Sequence, residues 1–66
     1  MEFQEKAKIR IEHWISHSDQ HQKEYETFAD ELEKAGKADS AESIREMSAY
    51  EAKSAECLRK ALAALE

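Results

Sequence analysis

The sequence predicts an all-α protein: an antiparallel two-helix hairpin that dimerises into a four-helix bundle. Three observations predict it. The 66 residues contain no Pro, no Val and one Gly, and Ile and Thr together supply five β-branched residues. A sheet needs β-branched residues and turn glycines, so all-β and α/β folds are excluded. Ala, Glu, Lys and Leu dominate, and these favour long helices. Apolar or small residues also recur in alternating steps of three and four along both halves of the chain, which is the heptad pattern.

The first helix is expected over about residues 2–35. Its seam reads Ala7, Ile11, Trp14, Ser18, His21, Tyr25, Phe28, Leu32 and Ala35. Glu2 and Glu5 fall near its start, where negative charge favours the helix dipole. Glu2–Lys6, Asp19–Lys23 and Asp30–Lys34 form supporting pairs at i,i+4.

Gly36 follows as the C′ residue, able to take a left-handed conformation without a Cβ clash. A turn is expected over 36–39. Asp39 with Glu42 reads as a D-x-x-E capping pattern, which makes Asp39 the expected N-cap, with Ser40 as the alternative one residue on.

The second helix is expected over about 40–65. Its seam is Ala41, Ile44, Ser48, Glu51, Ala55, Leu58, Leu62 and Leu65. Met47, Tyr50, Ser54, Cys57 and Ala61 widen the apolar face. So short a connection makes the helices antiparallel neighbours. The whole of 1–66 reads as one domain.

Hydrophobic residues make up 41% of the chain, but 11 of them are Ala. Two helices share one interface, too little to cover the larger apolar side chains. A homodimer is therefore expected, burying Trp14, Phe28, Leu32, Ile44, Leu58 and Leu62. Phe3, Ile9 and Ile15 are expected partly off the seam, as a second contact strip.

The formal net charge is −5, and neither half has a basic cluster. Nucleic acid is thus not an expected partner, nor is an anionic membrane surface. No apolar run approaches the ~20 residues of a membrane span, and charges interrupt the N-terminus from Glu2 onward. One Cys excludes an internal disulfide. A cytoplasmic protein is the expectation.

One constellation invites a chemical reading. His13, His17 and His21 are spaced i, i+4, i+8 and form a slanted stripe on the first helix. Two His at i,i+4 can chelate one metal ion. His13 and His21 are about 12 Å apart along the axis, so an adjacent pair is the natural unit. His17 is adjacent to both others and is the expected principal ligand. Glu24, Glu51 and Cys57 are the candidate auxiliary ligands, and the set suits Zn²⁺ or another late first-row divalent ion. The competing structural reading pairs His21 with Glu51 across the hairpin and stacks His17 on Trp14. Imidazole ligates only when neutral, so metal binding by the stripe would weaken in acid.

The stretch His13-Trp14-Ile15-Ser16-His17-Ser18-Asp19-Gln20-His21, then Gly36, then Leu58-Arg59-Lys60-Ala61-Leu62, resembles a family of short uncharacterised helical-hairpin domains. Its pattern is H-W-x-x-H-N-x-x-H in helix one and A-N-x-x-L-x-x-A-L in helix two. The resemblance covers most of the chain and implies the hairpin fold, with no activity attached. Ser18 and Ala55 stand where the pattern has Asn. These positions would face each other, so an inter-helix amide contact of the family is expected to be absent.

Enzyme signatures are missing. There is no H-E-x-x-H, and Arg10, Trp14 and Ser18 precede the histidines where a di-iron E-x-x-H needs Glu. The lone Gly excludes a phosphate-cradling loop. Cys57 with a His has no third orienting group. The expected function is a non-enzymatic, self-associating interaction module that could also dock a protein partner. The alternative is a divalent-metal-binding protein using the His stripe.

Overall fold

A computed structural model describes residues 2–66. It contains two helices, α1 over Phe3–Lys34 and α2 over Ala38–Ala64, packed antiparallel along most of their length. The described residues contain no strand. The 32 residues of α1 would span about 48 Å at 1.5 Å per residue. That matches the longest dimension of the molecule, 51 Å.

The break between helices is chemical. The Gly36 N–H donates to the Glu33 carbonyl at 3.0 Å, and the Lys37 N–H donates to the Leu32 carbonyl at 2.8 Å. This pair is a Schellman motif, which satisfies carbonyls that α1 would otherwise leave open. It needs a left-handed residue at C′, and Gly36 has φ +79°. Lys34 sits in the last turn of α1, where its charge favours the dipole.

The start of α2 differs from the expectation. Lys37, not Asp39, is the N-cap, and no side chain caps the helix. The Schellman turn delivers the chain into helix by Ala38, so Asp39 is already inside the first turn. It favours the helix through charge, without accepting a capping hydrogen bond.

The α2 seam lies where the periodicity puts it. Ala41, Ser48 and Ala55 are buried, and Ile44, Glu51, Leu58, Leu62 and Leu65 are half-buried. The α1 seam is corrected at every second step. Ile11, Ser18, Tyr25 and Leu32 face α2 as expected, but Ile15, Gln22 and Ala29 replace Trp14, His21 and Phe28. Trp14 is 49% exposed and Phe28 51%. Size is the reason. Read antiparallel from the turn, the seams match Leu32 with Ala41, Ala29 with Ile44, Tyr25 with Ser48 and Ser18 with Ala55. Small residues in these layers let the helices approach closely. Ile15, Gln22 and Ala29 fill the steps between the Ser18, Tyr25 and Leu32 layers, and the larger Trp14 and Phe28 rings lie at the edge. Ser18 and Ala55 are both buried. The Ser18 hydroxyl meets α2 at the Glu51 carbonyl.

One edge of the hairpin is closed by ion pairs. Lys8, Asp19 and Asp30 recur every 11 residues, about three helical turns, and so lie in line along α1. They meet Glu66, Arg59 and Arg45 respectively. Arg45 also reaches Glu33 at 2.8 Å. Asp19 and Asp30 thus reach across to α2 rather than serving only i,i+4 pairs within α1. Near the chain ends, the Gln4 side-chain amide donates to the Leu65 carbonyl.

Candidate functional site

The three histidines stand exposed on α1, well away from the ion-paired edge. The His13 and His17 rings have centroids 4.0 Å apart and are tilted by 50°. His17 and His21 are further apart, at 6.5 Å and near edge-on. His21 turns instead toward its C-terminal neighbours. It stacks on Tyr25 at 5.9 Å, and its Nδ1 lies 3.6 Å from a Glu24 carboxylate oxygen. The i,i+4 and i,i+3 spacings of a helix bring these side chains together.

The expected His21–Glu51 pair does not form. Gln22 occupies the seam position given to His21, and its amide donates to the Ser18 hydroxyl at 3.4 Å. Glu51 is half-buried and lines a shallow groove with Tyr25, Met47, Tyr50 and Ser54. Cys57 is exposed. Among the described residues no three His, Cys, Asp or Glu side chains converge on one point. Of the six candidate ligands, the structure brings together His13 with His17 and His21 with Glu24.

The edge opposite the ion pairs carries exposed large apolar side chains, interleaved with His21 and Glu51. Trp14, Phe28, Met47 and Tyr50 lie about 140–160° around their helices from the ion-pairing residues nearest in sequence. With Phe3, each is at least 40% exposed. A groove of about 430 Å³ between Phe3, Ala7, Ile11 and Trp14 is rimmed by Lys6 and Arg10. At the turn end a second groove lies between Phe28, Leu32 and Ile44, and its charged lining residue is Asp39. The two grooves therefore differ in charge. The ion-paired edge is electrostatically satisfied: hydrogen bonds to Glu33 and then Asp30 raise the Arg45 pKa above its ordinary value.

Sequence reasoning missed the division into two edges. The signal was present in two parallel rows at seven-residue spacing, Trp14-His21-Phe28 beside Ile15-Gln22-Ala29. Two adjacent rows can serve two different neighbours.

The class defined by this fold is the small all-α helical hairpin. The chain belongs to the family described as a domain of unknown function, DUF8180, whose model matches residues 7–65. No curated protein and no solved structure matches the chain. Among the described residues no helix is long and apolar enough to cross a membrane.

Proposed function

We propose that this chain is a self-associating, non-enzymatic interaction module whose apolar edge packs against a second copy to complete a four-helix bundle. The carrying observation is the core: among the described residues the buried hydrophobic ones are Ala29, Ala41 and Ala55, and no large side chain is fully buried. Three alanines remove little apolar surface from water, and the large seam side chains stay only half-buried, so hydrophobic stabilisation is left for a second copy to supply.

Area supports the same reading. A compact 7.6 kDa monomer would expose about 4,300 Å². This chain exposes 5079 Å². The excess of about 800 Å² follows from the elongated shape and leaves surface enough for a standard interface, which takes about 800 Å² per partner. Charge favours a second copy over an unrelated partner. The Lys6/Arg10 groove and the Asp39 groove lie at opposite ends of the same edge. A two-fold axis across that edge sets each basic groove of one protomer against the acidic groove of its partner, as an isologous interface requires.

Sedimentation equilibrium at micromolar concentration tests the reading. It should return twice the chain mass of 7.6 kDa. A well-folded monomer of 7.6 kDa removes the proposal.

A further inference from the structure

We infer that His13 and His17 form a two-point chelate for a late first-row divalent cation, Cu²⁺ above all, at a site contained within α1. Two nitrogens bound to one ion at about 2.0–2.1 Å lie about 3 Å from each other. Rings with centroids 4.0 Å apart reach that arrangement by a small splay. At 6.5 Å, the His17–His21 pair needs rotamer changes, and these would give up the His21 stack on Tyr25 and its approach to Glu24. Geometry therefore makes His13 as important as His17, where spacing alone singled out His17.

Two protein ligands leave several coordination positions to water. A structural Zn²⁺ site wants four protein ligands. Cu²⁺ and Ni²⁺ accept tetragonal N,O coordination, and imidazole affinity peaks at Cu²⁺ in the Irving–Williams order. Both rings are solvent-exposed, so an ion can enter without unfolding the hairpin. The net charge of −5 favours a cation's approach.

The test is titration of the full chain with CuSO₄ and NiCl₂ in a non-coordinating buffer. Heat is read by calorimetry. Quenching of Trp14, the only Trp and the direct neighbour of His13, is read by fluorescence. One Cu²⁺ per chain is expected, bound more tightly than Ni²⁺. His13→Ala and His17→Ala should each weaken binding at least about tenfold, the low end of what loss of even a supporting partner costs a metal site. His21→Ala should leave it nearly unchanged. Circular dichroism confirms that each variant stays helical. Absence of heat and quenching overturns the inference, as does a His21→Ala loss equal to the other two. The site lies within one helix, so its two ligands are complete in a single hairpin, and the titration is made at a dilution where sedimentation finds monomer. Its failure is thereby distinguishable from failure of self-association.

Discussion

The Ser18 hydroxyl donates to the main-chain carbonyl of Glu51 across the hairpin, at 3.4 Å. A side chain this short reaches the opposite backbone only where helices run close. Ser18 is 5% exposed, and Ser48 on the facing helix is 6% exposed. Close approach orders the rest of the molecule. It puts Ser18, Ala29, Ala41, Ser48 and Ala55 at the centre of the seam and leaves Trp14 and Phe28 at the edge, where a second surface can cover them.

Enlarging a buried small residue should therefore be costly. Ala29→Leu and Ala55→Leu should each destabilise by about 1–3 kcal/mol, the usual range for overpacking. Ala63→Leu, at an exposed position of α2, should be close to neutral. Urea unfolding monitored by circular dichroism measures all three.

The turn depends on backbone conformation alone. A Cβ added at Gly36 meets nothing within 4 Å, so sterics with other residues do not enter. Gly36→Ala should cost about 1–2 kcal/mol through its left-handed φ. Gly36→Asn should recover much of that, since Asn tolerates this region. Thermal melts of the two variants give the comparison.

The α2 start can be improved. Asp39→Ala should lose only a dipole interaction, about 0.3–1 kcal/mol, rather than a capping bond. Lys37→Asn supplies a capping side chain where none acts, and should stabilise by up to about 1 kcal/mol. Denaturation midpoints of both variants check the pair. An Asp39→Ala cost matching full N-cap loss would contradict the placement of Lys37 at the cap.

Stability should rise with protein concentration, because association with a second copy stabilises by mass action. Trp14→Glu and Phe28→Glu place charges on the apolar edge without touching the hairpin seam. Both variants should lose the concentration dependence of the melting temperature and still remain helical. Calorimetry across a hundredfold concentration range reads this directly.

The fold was legible in the sequence because few residues punctuate it. A single Gly after Glu33-Lys34-Ala35 set the turn, and the α2 seam followed strictly from its three–four spacing. The α1 seam was half legible. Ile11, Ser18, Tyr25 and Leu32 were placed correctly, but the heptad pattern fits both the Trp14 row and the Ile15 row. What decides between them is the helix separation, set by residues on the other helix, so no local pattern in α1 contains it. The His21–Glu51 pairing failed for the same reason, since it assumed the Trp14-His21-Phe28 row. The closeness of His13 to His17 depends on rotamers, which spacing does not specify.

The central claim is that a second copy covers the edge carrying Trp14. As the only Trp, it reports on that edge without a label. The most direct measurement is its emission and acrylamide quenching along a dilution series, with molecular mass recorded on the same samples. Blue-shifted, quencher-protected emission at doubled mass, turning red and accessible as the mass halves, is the predicted result. A dimer whose Trp14 stays accessible throughout, or a folded monomer at every concentration, would contradict it.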